Sequence, residues 1–224
     1  MSITTRGRRR PASTAFAAVA CLAAAVVPTA TAHAAPYPTA HSASHAALHS
    51  APLATPRAAA LPAVPAAKRL NITMQAQENS NWCWAASGDT VAAWFGRNYT
   101  QNQFCDAAFN RPQGSTCGNW QAALDDVQNA LDWMGINPGR YVSGYLRYST
   151  VQTEIGADRP VETRIEWNSG GGHMHVLYGY DTSADQVYWG DPWPSNYRYN
   201  WGDYDYYVSN STFTWTHSLY GIGA

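Results

Sequence analysis

Two periodicities divide the chain at Pro160. Ahead of it, apolar residues recur at helical spacing. Trp84, Gly88, Val91 and Phe95 fall at i, i+4, i+7 and i+11, which makes one buried stripe. Ser80 or Asn81 can cap that helix and Gly96 can end it. Ala85, Ala86, Ala92 and Ala93 leave its other faces free to pack closely. Thr100 can cap a second helix to about Phe109. Asn119 opens a third, ended by Gly135, with Trp120, Ala123, Leu124, Val127, Leu131 and Met134 as its apolar face. Ser149, followed three residues later by Gln152, is a capping-box pattern for a short helix to about Ala157. Leu70 to Met74 reads as a short entry strand.

Beyond Pro160 the period shortens to two. Val161 to Trp167 alternates and is rich in β-branched residues, Gly170-Gly171-Gly172 is a turn, and His173 to Tyr180 and Gln186 to Trp189 are strands. The remainder is dense in Tyr and Trp with short turns, as in a twisted antiparallel sheet. Helices first and strands afterwards predict an α+β fold: a helical N-terminal lobe, an antiparallel β C-terminal lobe and a cleft between them.

The first third departs from both patterns. Arg6, Arg8, Arg9 and Arg10 precede an apolar run from Ala15 to Val27, and Ala32-His33-Ala34 follows. Basic region, apolar core and small-residue site are the parts of a secretory signal peptide, expected over residues 1–34. The run is too short for a membrane anchor. Residues 35–68 are mostly Ala, Pro, His and Ser, too poor in large apolar groups to offset ordering entropy. They read as a disordered pro-segment or linker, and His41, His45 and His49 as its solvated histidines. The folded domain is expected over 69–224. All 15 acidic residues lie at Glu78 or later, against seven basic residues beyond Arg69. An acidic domain of this kind lacks the basic footprint of a nucleic-acid surface. No other stretch is long and apolar enough to span a bilayer. A secreted monomer with no stable membrane association is expected.

Cysteine arithmetic narrows the chemistry. Cys21 leaves with the signal peptide, and Cys83, Cys105 and Cys117 remain. Cys105 and Cys117 bracket a polar loop containing Gly and Pro, which suits a local disulfide. Cys83 is then the unpaired thiol, in the first turn of the expected central helix. A cysteine nucleophile acts as a thiolate, which a helix N-terminus and a nearby imidazolium both favour. The Gly-rich run ending in His173-Met174-His175 supplies the imidazole, His173 ahead of His175 by register. Asp191 is placed to orient it, with Asp181 as runner-up. The side-chain amide of Gln77 and the backbone N–H of Cys83 can donate to an oxyanion. Trp84, Gly171 and Gly172 are the expected substrate contacts.

These residues also carry a likeness. Gln77 to Ser87, with a glutamine six residues before the cysteine and a Trp after it, resembles the papain superfamily of cysteine peptidases. His173 followed six residues on by Gly179-Tyr180, and Asp191-Pro192-Trp193, resemble its histidine strand and orienting residue. The compact Asn-Trp-Cys-Trp-Ala-Ala-Ser form is most similar to a small bacterial branch that includes a secreted effector protease of plant pathogens. The resemblance implies a papain-like fold and hydrolysis of a protein or peptide substrate through an acyl-enzyme. It implies Cys83 as nucleophile, His173 as base, Asp191 as orienter, Gln77 as oxyanion donor, and no cofactor. The inhibitory helical pro-domain of larger papain-like enzymes is missing, and His175 has no counterpart.

Other readings compete. His173 and His175 share a strand face and so could be a metal pair, but no third ligand is evident in the sequence. A Cys-His cell-wall peptide hydrolase or an acyl transferase would use the same cysteine and histidine. A secreted carbohydrate- or protein-binding module would instead use the aromatic tail and leave Cys83 unreactive.

Overall fold

The computed structural model describes residues 65–224. The expected signal peptide and nearly all of the expected linker lie outside them. Among the described residues no helix is long and apolar enough to cross a membrane.

The elements run β1 (Ala67–Arg69), α1 (Cys83–Trp94), α2 (Gln101–Ala108), α3 (Leu124–Trp133), β2 (Arg140–Ser143), α4 (Tyr148–Gly156), β3 (Val161–Trp167), β4 (Gly172–Asp181), β5 (Gln186–Gly190), β6 (Tyr199–Asp203), α5 (Tyr204–Val208) and β7 (Phe213–Tyr220). The strands form one antiparallel sheet in the order β2-β7-β3-β4-β5-β6, with β1 added to the far end of β4. The α+β expectation holds, and the helices and the sheet share one core.

α1 is central. Every residue from Trp84 to Ala92 is buried, so the helix is apolar or small nearly all round. α2 and α3 pack on it, and its other side meets β4, where Ser87 Oγ donates to Met174 O at 3.3 Å. Gly88 lies on the expected stripe for a steric reason: a Cβ there would sit 2.3 Å from the Phe104 ring.

Several expected boundaries move. Leu70, Ile72 and Met74 alternate inward as expected of a strand, yet the ladder forms just upstream, with Ala67 opposite Asp181 and Arg69 opposite Gly179. The fold also takes in Pro65, whose carbonyl accepts from Tyr180 Oη at 2.8 Å, so order begins before the expected start at 69. The third helix starts at Leu124 rather than Asn119, and Trp120 stays 45 % exposed. Ser149 lies inside α4, whose N-cap position is Arg147 with no side-chain cap. Thr100 does cap α2, in a reciprocal capping box with Gln103. β2 and α5 were not expected. β2 reaches back from the helical half of the sequence to pair with β7, a contact that sequence distance hides.

Candidate active site

The site is built where α1 begins and β4 passes. Cys83 is the first residue of α1 and is partly exposed. The first N–H groups of a helix have no intrahelical acceptor and point out of its end beside this side chain. Neither Ser80 nor Asn81 caps the helix; Trp82 occupies the N-cap position without a side-chain bond. Ser80 and Asn81 are instead tied to Asn119. Asn119 Nδ2 donates to Ser80 Oγ at 2.8 Å, Asn81 N donates to Asn119 Oδ1 at 2.9 Å, and Asn81 Nδ2 donates to Asn119 O at 2.9 Å. The two tryptophans beside Cys83 reach the same segment: Trp82 Nε1 donates to Gly118 O at 2.9 Å and Trp84 Nε1 to Trp120 O at 3.0 Å. That segment follows directly on the disulfide between Cys105 and Cys117, whose Cα atoms are 6.2 Å apart. The disulfide loop thus buttresses the turn that presents Cys83. The sequence marked the loop and the turn, but not their contact.

Gln77 is buried, with its backbone N–H donating to Pro192 O at 2.9 Å. Its side-chain Nε2 donates to Asn79 O at 2.8 Å and Ser80 O at 2.9 Å. Both amide hydrogens are therefore engaged in the turn. The expected oxyanion donor is, in this geometry, a brace for the turn ahead of Cys83.

From the sheet side, His173 Nε2 lies 2.7 Å from Asp191 Oδ1, and both groups are 5 % exposed. The other ring nitrogen, Nδ1, is left for Cys83. Burial alone would push the His173 pKa down. Hydrogen bonds to Asp191 and Cys83, and the negative charge of both, outweigh it and carry the pKa from 6.5 up to about 9. For Asp191, burial works upward, but the hydrogen bond and charge of His173, with the His175 ring beside it, hold it well below the usual carboxylate range. Trp193 N donates to Asp191 Oδ1 at 2.8 Å and Asn196 Nδ2 to Oδ2 at 2.8 Å, while Arg198 binds the Asp191 carbonyl. Asp181, the runner-up, instead accepts from Ser183 in the turn after β4.

The imidazole is sandwiched by aromatic groups. The Trp167 ring stacks at 6.0 Å and the Trp193 ring meets it edge-on at 6.2 Å. In front lies a cleft of about 380 Å³. Ser80, Asn81, Cys83, Trp84, Gln121 and Ala122 line its helical wall. Arg164, Trp167, Gly171, Gly172, His173 and Trp193 are on the sheet side. The three expected substrate contacts, Trp84, Gly171 and Gly172, all face this space. Gly170 and Gly171 have φ of +92° and +86°, a turn conformation that side chains resist. Arg164, Trp167, Asn119 and Asn196 were not expected at the site, because each is an ordinary polar or aromatic residue until the fold places it.

His175 stands behind His173, fully enclosed. His173, His175 and Asp191 bring one ligand atom each to within 4.8 Å of one another, so a third candidate metal ligand does exist. The arrangement found is a hydrogen-bonded His-Asp pair with a second histidine beside it.

Residues 66–209 match the family described as papain-like cysteine protease AvrRpt2. The chain belongs to this family. It is a cysteine-type peptidase with a papain-like fold. The peptidase domain of Streptococcus ComA, a bifunctional ABC transporter of a quorum-sensing pathway, superposes with TM-score 0.50 at 19 % identity, over 67 % of this chain and 98 % of that one. A double-glycine-motif protease from an AMS/PCAT transporter, solved with a leader peptide, gives TM-score 0.47 at 18 % identity, over 70 % and 95 % of the two chains. Xylellain, a cysteine protease from Xylella fastidiosa, gives 0.43 at 12 %, over 70 % and 86 %. No curated protein sequence matches the chain. The family match and the ComA likeness bear out the papain-like expectation drawn from Gln77–Ser87, His173 and Asp191.

Proposed function

We propose that this family member is a secreted endopeptidase acting through Cys83, His173 and Asp191. The observation that carries the reading is the meeting of Cys83, at the start of α1, with the 2.7 Å His173–Asp191 pair across one open cleft. With its pKa at about 9, His173 is an imidazolium at neutral pH and sits beside the Cys83 sulfur as counter-ion. The sulfur attacks the scissile carbonyl carbon and the carbon–oxygen π pair moves onto oxygen. The backbone N–H of Cys83, at the positive end of α1, is aimed at that oxyanion. Gln77 joins it only by exchanging one of its carbonyl bonds. Collapse of the intermediate breaks the C–N bond, and His173 Nδ1–H protonates the departing amine. Now neutral, His173 takes a proton from water, which hydrolyses the thioester and restores the thiolate–imidazolium pair. Asp191 holds the ring in the tautomer this needs.

Export rests on the charge and apolar pattern of residues 1–34. The mature protein is a monomer acting on polypeptide outside the cell. N-terminal sequencing of protein recovered from culture medium should begin near Ala35, and intact residues 1–34 on that protein would contradict export by this segment.

Casein hydrolysis tests the activity. Wild-type protein in reducing buffer should degrade casein, lose that activity on stoichiometric alkylation of Cys83, and lose it in Cys83→Ala. Unlabelled Cys83 with activity surviving Cys83→Ala would remove the assignment. Solubilisation of peptidoglycan with casein left intact would favour a cell-wall peptide hydrolase using the same groups.

A further inference from the structure

The mechanism above leaves His175 unused, although it is 2 % exposed and adjoins the His173–Asp191 pair. Its ring centroid is 5.0 Å from that of His173. Nδ1 lies 3.2 Å from Tyr207 Oη, and Tyr207 Oη lies 2.7 Å from Thr163 Oγ1. Among the described residues Nε2 has no hydrogen-bond partner, and it lies 3.6 Å from Asp191 Oδ2. Tyr207 and Thr163 are themselves fully buried, so this chain of groups has no access to solvent.

The chain can be protonated in two ways. In one, His175 Nδ1–H donates to Tyr207, Tyr207 donates to Thr163, and Thr163 donates to the His175 carbonyl at 3.4 Å. The bare lone pair of Nε2 then faces an ionised carboxylate at 3.6 Å, too close for a water to sit between, which is repulsive at low dielectric. In the other, Thr163 O–H donates to Tyr207, Tyr207 O–H donates to Nδ1, and Nε2 carries the hydrogen. An N–H dipole then faces Oδ2. The distance is too long for a hydrogen bond, but the attraction is unscreened. The second arrangement is the favourable one. Burial raises the Tyr207 pKa, which keeps the required hydroxyl proton in place, and lowers that of His175, which keeps the ring neutral.

Resting on the peptidase reading above, we propose that His175 is a positioning residue for the triad. Tyr207 and Thr163 fix its tautomer, and its Nε2–H holds Asp191 Oδ2 so that Oδ1 stays aligned on His173. Oδ2 needs such a group. Its hydrogen-bond donor, Asn196, is an exposed side chain on the solvent side, and from the interior His175 faces it. The charged and titratable groups around His175 are His173 on β4, Asp191 beyond β5 and Tyr207 on α5; the Trp189 and Phe213 rings fill the remainder.

The test is the imidazole titration of 15N-histidine-labelled full-length protein by NMR, with casein hydrolysis measured alongside. In wild type, His175 should show the Nε2-protonated tautomer and His173 a midpoint near 9. In His175→Leu the His173 midpoint should fall by about one pH unit and the casein rate by about tenfold. His175→Gln places an amide N–H near the lost Nε2–H and should restore most of both. Tyr207→Phe removes only a hydroxyl, and should release the tautomer and lower the midpoint even if the leucine variant does not fold. An Nδ1-protonated His175 in wild type, an unmoved His173 midpoint, or equal behaviour of the Leu and Gln variants would overturn the proposal. Loss of all casein activity in wild type with these titrations intact would instead count against the peptidase reading alone.

Discussion

At the residue scale, the protein places two buried carboxyl groups in opposite states. Asp191 has donors on both oxygens and a cationic neighbour, so it is held ionised despite burial. Asp89, on α1, is equally buried. Burial raises its pKa from 3.8 to about 6, the Gln75 side chain offsets only part of this, and Oδ1 has no partner among the described residues. His173, the partner of Asp191, and Asp89 both bind a proton more tightly in the fold than in the unfolded chain, so their pH consequences share a sign and differ in window. His173 titrates at about 9 in the fold against 6.5 unfolded, so its stabilisation is complete below 6.5 and fades as pH rises through 9. Casein hydrolysis should therefore have an alkaline limb near pH 9. Asp191→Asn should move that limb toward lower pH and reduce the rate by roughly 10²-fold or more. Asp89 takes up a proton on folding, so its contribution weakens as pH rises from about 4 through 6. Asp89→Asn should raise stability at pH 7.5 by about 1–3 kcal/mol and lose that advantage at pH 4, as read from thermal melts at the two pH values.

At the element scale, the start of α1 is held by groups other than a side-chain cap. The brace is Gln77 from one side, and Gly118, Asn119 and Trp120 from the other. The Cys105–Cys117 disulfide closes the loop that delivers the second set. A closed loop of this length contributes about 3 kcal/mol by restricting the unfolded chain. The paired Cys105→Ala, Cys117→Ala variant should lower the melting temperature by several degrees. It should also slow alkylation of Cys83, because the turn that presents the thiol loses its support. Asn119→Ala separates the two effects. It deletes the two hydrogen bonds that the Asn119 side chain makes to the turn, while keeping the bond from Asn81 Nδ2 to the residue 119 carbonyl and the disulfide, so alkylation should slow with a smaller change in melting temperature. Alkylation at the wild-type rate in both variants would show that the loop stabilises the fold without positioning Cys83.

At the scale of the whole molecule, one sheet joins the two ends of the described chain to its middle. β1 pairs with the far half of β4, whose near half carries His173 and His175, and Thr182 N donates to Ala66 O at 2.8 Å. Residues 65–69 therefore belong to the domain. Protein beginning at Leu70 should melt below protein beginning at Pro65, because Tyr180 Oη loses the Pro65 carbonyl and β4 gains a bare edge. Equal melting temperatures would make β1 an accessory strand.

Much of this was legible in the sequence, and the division follows range. Features set by neighbours in the chain could be read directly. The stripe Trp84-Gly88-Val91 marked a buried helix, alternation bounded β3 at Val161 and Trp167, and Thr100 announced a cap. Cys83, His173 and Asp191 stood out because their spacing and flanking residues are unusual for core positions. What the sequence left open was set by contacts between distant residues. Gln77 was expected to aim its amide hydrogens at an oxyanion, but their acceptors depend on how the turn at Asn79 folds back. β2 carries little alternation of its own and becomes a strand because β7 offers it an unpaired edge. His175 reads as one more strand histidine until Tyr207, 32 residues on, and Asp191 close around it. Local pattern determines which residues can be buried and which can react. Only the packing of α1, β4 and α5 decides which polar groups face one another without water, and that is what sets their tautomers and charges.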